Sequence, residues 1–285
     1  MIFTGSVAMI STLSRVALLC LLLLAPCVGS AQESGTMHPL LANRWLLTAG
    51  AFFSYQDSHL RASGNLPGDE VDFNNRVGVD DSETAPIFMA RWRFGEKWSL
   101  WGQAWSTSNQ GRAILTEDIV WQDLVFSAGT NVAGGIESRV VRLFFGRTVS
   151  TGPRHEFGAG LGFHWLEIGA YLQGDVLTSF GDVEFARSGV DAALPLPNIG
   201  AWYEYALTDR WLIGTRVDWL SASVGDYSGS LWNASLGVQW QMTDHFGLGL
   251  NYQLFRLNGD VRDENWRGGA ELANHGPLLS LTASW

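Results

Sequence analysis

The segment Leu279-Ser280-Leu281-Thr282-Ala283-Ser284-Trp285 alternates apolar and hydroxyl-bearing side chains up to its last residue. A period of two is the mark of a strand with two unlike faces. Leu279, Leu281, Ala283 and Trp285 share one face, and Ser280, Thr282 and Ser284 the other. A strand that stops on a bulky aromatic, without a polar tail, is expected to be paired on both edges. Which solvent each face meets decides between a soluble sandwich and a membrane barrel.

The same alternation recurs along the chain. Leu47, Ala49, Ala51, Phe53 and Tyr55 form one face over roughly 45–55, and Phe88, Ala90, Trp92 and Phe94 one over roughly 84–95. Val141, Leu143 and Phe145 follow, then Phe157, Ala159, Leu161, Phe163 and Trp165. Further on come Ile199 to Tyr205, Trp211 to Trp219, Trp232 to Trp240 and Phe246 to Leu254, each on every second residue. With 97–108, where Trp101 and Trp105 blur the pattern, and the terminal segment, about ten strands emerge. Eight or twelve are the alternatives. Each is some ten residues long, the reach a tilted strand needs across a hydrocarbon layer.

Three features favour the membrane. The polar faces are rich in Gly, Ser, Asn and Gln, and the chain contains a single lysine, Lys97, unlike a solvated exterior. Aromatic residues gather near strand ends, at Trp98, Trp211, Trp219, Trp232, Trp240, Phe246 and Trp285, as interfacial girdles do. Connection lengths also alternate. Residues 95–97, 151–154, 208–210 and 243–245 are tight, whereas 56–83, 109–136, 172–192 and 259–275 read as long loops, with 225–229 a short exception. Short inner turns and long outer loops are the pattern of a bacterial transmembrane barrel.

The composition agrees. Fourteen Trp, fifteen Phe and thirty-three Gly accompany a formal net charge of −10, which argues against a nucleic-acid partner. Arg15, the apolar run 16–25 and the small residues Gly29-Ser30-Ala31 read as a signal peptide over 1–31, with cleavage after Ala31. Cleavage would remove Cys20 and Cys27, leaving neither disulfides nor thiolate metal sites. Residues 32–43 then form a short periplasmic segment and 44–285 the barrel. No apolar run after Ala31 approaches a transmembrane helix in length.

On these residues the chain resembles small bacterial outer-membrane β-barrel proteins, porin-like or of the OmpA and OmpW kind. The resemblance rests on the leader, the alternating segments, strand–turn–strand units such as Tyr205 to Trp211 and Met242 to Leu250, and the terminal strand. It implies an all-β, antiparallel, up-and-down transmembrane barrel in the cell outer membrane. It also implies that Leu279, Leu281, Ala283 and Trp285 form a signal for the barrel-assembly machinery, with Trp285 in place of the commoner Phe. Outer-membrane lipid and lipopolysaccharide are the other expected partners.

If the apolar faces meet lipid, the opposite faces line a lumen. That places Arg91, Arg93, Arg142 and Arg216 inside with Glu156, Glu204, Asp218 and His164. Opposed charges in a narrow barrel are expected to pair and fill it, because an unpartnered buried charge is costly. A narrow channel for small solutes is the alternative reading. Asp244 and His245 form an acid–imidazole pair in a tight inner turn, the wrong end for the outer-rim site of barrel proteases. The His-x-Ser arrangement of lipid A deacylases, nucleophile elbows and phosphate loops are not found. Neither metal-ligand spacing nor a cofactor motif is present. Acidic outer segments, with Asp57, Asp69, Glu70, Asp72, Asp80, Asp81 and Glu83 in the first and Asp260, Asp263, Glu264 and Glu271 in the last, are expected to make surface contacts. The function expected is therefore that of a non-enzymatic barrel.

Overall fold

A computed structural model describes residues 38–63, 67–177, 183–224, 227–262 and 267–285. The proposed leader and Asp263 and Glu264 lie outside them. The described chain is almost entirely strand: β1 (Trp45–Ala62), β2 (Glu70–Asp72), β3 (Ser82–Phe94), β4 (Trp98–Ile114), β5 (Ile119–Trp121), β6 (Leu124–Phe126), β7 (Asn131–Thr151), β8 (His155–Leu177), β9 (Val183–Ala206), β10 (Trp211–Val224), β11 (Tyr227–Gln241), β12 (Phe246–Arg262) and β13 (Arg267–Ser284). Two short helices, α1 (Pro39–Ala42) and α2 (Phe73–Val77), complete it. No described helix is long and apolar enough to cross a membrane, so any crossing is made by strands.

Ten long strands close a ring in the order β1-β3-β4-β7-β8-β9-β10-β11-β12-β13 and back to β1, all antiparallel. The seam pairs Leu46 with Ser284, Ala49 with Leu281 and Ala51 with Leu279. Trp45 and Trp285 exchange backbone hydrogen bonds of 2.8 and 3.0 Å just below it. No edge is left unpaired at the seam, which is what lets backbone polar groups sit in hydrocarbon. Three short strands were not anticipated: β2 pairs with the outer end of β1, and β5 with β6.

The lipid-facing band is read directly from the outward side chains. Leu47, Phe88, Leu143, Leu161, Leu250 and Leu281 are exposed around the ring. At the inner edge stack Trp45 on Trp92 (5.3 Å), Trp98 on Phe145 (4.9 Å) and Trp211 on Trp240 (6.1 Å). At the outer edge Trp219 meets Trp232 (6.3 Å), and the Tyr252 hydroxyl lies 2.8 Å from His275 Nδ1. Along β1 these edges fall near Trp45 and Tyr55. Ten residues rising roughly 3.3 Å each at a tilt of about 40° span about 25 Å, the height of the apolar band of outer-membrane barrels. The chain is thus a membrane-spanning barrel of the outer-membrane type.

Two expectations need correction. The strands are far longer than ten residues, reaching 24 in β9, because they continue outward past the lipid band. Residues 172–192 and 259–275 are therefore mostly strand: β8 pairs with β9 out to Leu177 and Val183, and β12 with β13 out to Arg262 and Arg267. Above the band both faces are free of lipid, so the strict apolar–polar alternation that marks a lipid-facing strand is no longer required.

Residues 56–83 and 109–136 are not simple surface loops either. Beyond their strand residues they fold back into the outer mouth as a plug of α2, β2, β5 and β6, burying Phe73, Val77, Ile119, Trp121 and Phe126. Gly78, at φ +70°, reverses the chain after α2 and supplies the left-handed residue that ends it. The plug meets inward apolar side chains of the wall, among them Phe52, Ile136, Leu166, Leu172, Phe255 and Leu272. The lumen charges consequently sit at the level of the lipid band, with a small buried polar cluster of Gln56, Ser58 and Asn109 just above it. The outer half of the lumen is built mainly on a hydrophobic core.

Candidate functional site

The inner half of the lumen holds all eight charged or imidazole residues placed there by alternation. They stand on β3, β7, β8, β9 and β10, each on the face opposite apolar or aromatic neighbours that point outward. Two nodes are formed. Nearer the inner mouth, Arg91 Nη1 donates to both Glu204 oxygens at 2.9 and 3.1 Å, and Arg93 Nη2 donates to Glu156 Oε2 at 2.8 Å. Arg93 also lies 3.7 Å from Glu204, and Trp202 Nε1 donates to Glu156 Oε1 at 2.9 Å.

Deeper in, Arg142 grips Asp218 through Nε and Nη2, and Arg216 Nη2 reaches the same carboxylate at 3.3 Å. Asp218 is completely buried. His164 sits beside this node between two amides: Nδ1 is 2.9 Å from Asn198 Oδ1 and Nε2 is 3.0 Å from Asn233 Nδ2. A ring that donates through Nδ1 and accepts through Nε2 satisfies both amides.

Aromatic rings tie the nodes together. The guanidiniums of Arg91 and Arg216 each lie 4.9 Å from the Trp101 ring, and Arg216 is also 4.2 Å from Phe144. Trp202 packs edge-on to Phe144 at 5.9 Å. Glycine makes room for it: a Cβ at Gly158 would stand 2.2 Å from the Trp202 ring, and one at Gly146 2.5 Å. That close approach explains Gly146 on β7 and Gly158 on β8. Trp101, Phe144, Asn198 and Asn233 were not in the set read from charge. Their inward parity was the only signal, since apolar rings on a lumen face carry no charge to mark them.

A third layer closes the inner mouth. His38 caps the turn α1 through Nδ1, which accepts from the Leu40 amide at 3.2 Å, and Leu40 and Leu41 bury against Ala206 and Leu212. The Leu40 carbonyl accepts from Arg91 and from Arg93 (2.8 Å), and the Asn43 carbonyl accepts from Arg93 at 2.9 Å. The network holds four arginines against three carboxylates, and these carbonyls receive part of the excess positive charge. Burial holds the His38 imidazole below its ordinary value, against the opposing pull of the Arg210 backbone, Glu204 and Asp209.

Elsewhere, His245 Nδ1 lies 2.9 Å from the Ser284 carbonyl, so it ties the 243–245 turn to β13 rather than pairing with Asp244. An imidazole–carboxylate pair does occur at the outer rim: His59 Nε2 is 3.3 Å from Asp57 Oδ1 on the outward face of β1. The Asp-x-His spacing on one strand face could have flagged it. The acidic residues Asp260 and Glu271 pair with Arg61 (3.2 Å) and Arg256 on the outer wall. Leu279, Leu281 and Trp285 face outward and are exposed, while Ser280, Thr282 and Ser284 are buried in the lumen.

No family model matches the chain, and no curated protein matches it. Among solved structures, the outer membrane protease OmpT of Escherichia coli superposes with a TM-score of 0.58 at 11% identity, covering 90% of this chain and 100% of that one. The toluene transporter TodX of Pseudomonas putida gives 0.40 at 6% identity, over 87% and 91%. The outer membrane protein OprG of Pseudomonas aeruginosa gives 0.36 at 11% identity, over 85% and 97%. At such identities the likeness to OmpT is one of fold: a closed antiparallel barrel of the outer membrane.

Proposed function

We propose that this barrel is a closed, non-enzymatic scaffold that displays its outer extension at the cell surface and conducts no solute. The observation that supports the reading is a lumen obstructed at three levels, by the α1 turn at the inner mouth, the ion-pair nodes at membrane depth and the apolar plug above, with cavities of about 130 and 370 Å³ left between them. A narrow channel would need a water path through all three, and pairing leaves the central charges committed to one another. Barrel-assembly machinery would act on β13, and outer-membrane lipid and lipopolysaccharide would surround the wall.

Planar-bilayer recordings test the reading. The purified wild-type protein is expected to give no conductance steps, whereas opening all three levels together, by removing α1 and the plug segments and splitting the deep node with Arg142→Ala, should produce them. Steps from the wild type would overturn it. One observation favours a second reading, hydrolysis at the outer rim, because His59 and Asp57 are paired there in a chain whose fold matches that of a protease. Cleavage of a fluorogenic peptide that is lost in Asp57→Ala and His59→Ala would select it, and the scaffold reading expects no cleavage.

A further inference from the structure

The plug does not fill the outer half of the barrel evenly. The β5–β6 hairpin is joined to β8 through Phe126 and Val176, and Gln122 N donates to the Ala62 carbonyl at 2.9 Å. Opposite, beneath β9 to β13, lies a cavity of about 370 Å³. Its apolar side chains are those that alternation turns inward, Ile168, Val190, Leu196, Leu220, Ala222 and Leu257 among them, and Ser228, Ser230 and Asn258 also border it. The charged residues on its margin, Arg61, Asp191 and Asp260, have the opposite parity and point away from the barrel axis. A Cβ built at Gly259 meets nothing within 4 Å, so a larger side chain can be placed there without displacing a neighbour.

Ala192 and Ala222 on its lining are exposed, so the cavity is open on its outer side, and an apolar hollow of this size forfeits contacts that its lining could make. Water gains little there, since a buried water needs two to four polar partners. The volume falls within the range of small-molecule sites, roughly 300–1,000 Å³. Its innermost lining residues Leu220 and Leu196 are the next inward-facing neighbours of Asp218 and Asn198 on β10 and β9, and neither of those lines the cavity, so it ends above the ion-pair layer.

We infer that this cavity is a dead-end binding site for a small, uncharged, apolar molecule, entered from the outer side. It takes up such a molecule without passing it across the membrane. The inference does not depend on the scaffold reading, because a blind pocket can fill whether or not ions leak through the nodes below.

The probe is trifluoromethylbenzene, followed by fluorine NMR with the full-length protein in lipid nanodiscs, after subtraction of empty nanodiscs. A saturable component is expected for the wild type. Gly259→Phe and Ala222→Phe, which place rings in the void, should each weaken it by at least about tenfold, as loss of most of a small ligand's burial implies. Gly102→Phe, on the lipid face, should leave it unchanged. Heat-modifiable gel mobility establishes that each variant is folded. Absence of a saturable component in the wild type would overturn the inference. So would wild-type affinity in both cavity variants, since the ligand would then be elsewhere. Bilayer recordings made with the probe present separate this result from the scaffold reading: binding with silence supports both, and conductance sinks only the latter.

Discussion

At the scale of single residues, the deep node is where charge and burial compete. Asp218 has no access to water and is held by Arg142 and Arg216. Removing one partner of a buried pair strands the other, a loss of about 3–5 kcal/mol, whereas replacing both with apolar groups of similar volume is often neutral. Arg142→Ala is therefore expected to lower stability by that amount, and Arg142→Met combined with Asp218→Leu by less than the single change. Urea unfolding in lipid vesicles, followed by gel mobility, checks the order; equal midpoints for wild type and Arg142→Ala would count against it. Trp285 acts at a different stage. If β13 is read during assembly, deleting Trp285 should reduce the folded protein in the outer membrane severalfold, and Trp285→Phe should restore it. Normal insertion without an aromatic at this position would remove the assignment.

At the scale of elements, the inner mouth and the outer plug differ in how they are held. The α1 turn depends on an imidazole that accepts a hydrogen bond, so protonation opposes it. The folded-state value of His38 lies below the ordinary 6.5, so the unfolded turn binds the proton more readily. The turn's stability is thus complete above about pH 6.5 and falls as pH drops from there through the lower folded value. Hydrogen exchange at the Leu41 and Ala42 amides, which bond to the His38 carbonyl, should quicken over that window. His38→Asn, which keeps an acceptor at the cap, should abolish the pH dependence; an unchanged profile would refute the role. The plug depends instead on packing: Trp121 is buried edge-on to Phe73 at 5.5 Å. Trp121→Ala should cost about 3–5 kcal/mol. These elements were also the least legible in the sequence. Phe73, Ile119, Trp121 and Phe126 sit in stretches of three to five residues among Gly, Asp and Asn, too short to show a period. Their burial comes from partners far along the chain, such as Leu172 and Leu272. The lumen charges were legible because each lies beside at least one outward apolar neighbour on a regular strand, which fixes its side without any tertiary knowledge.

At the scale of the whole molecule, one boundary organises everything: the level at which the lipid band stops. Below it, alternation is enforced by hydrocarbon on one side and a polar lumen on the other, and the sequence carries that rule in plain view. Above it, the wall continues but the rule lapses, which is why the outer halves of β8, β9, β12 and β13 read as loops. The boundary can be located by mutation. Leu250 faces outward opposite Leu279, midway between the two aromatic edges, whereas Phe246 lies at the inner edge opposite Ala283. A lipid-facing arginine costs about 2–4 kcal/mol at the midplane and about 0–1 kcal/mol near an interface. Leu250→Arg is therefore expected to lose several times more stability than Phe246→Arg when unfolding is measured in the same vesicles. The exposed Phe185 on the outer part of β9 extends the series. If the band ends where Tyr55, Trp219 and Tyr252 place it, Phe185→Arg should cost little, since that position meets water. A midplane-sized loss at Phe185, or equal losses at all three positions, would mean that the band has been drawn at the wrong height.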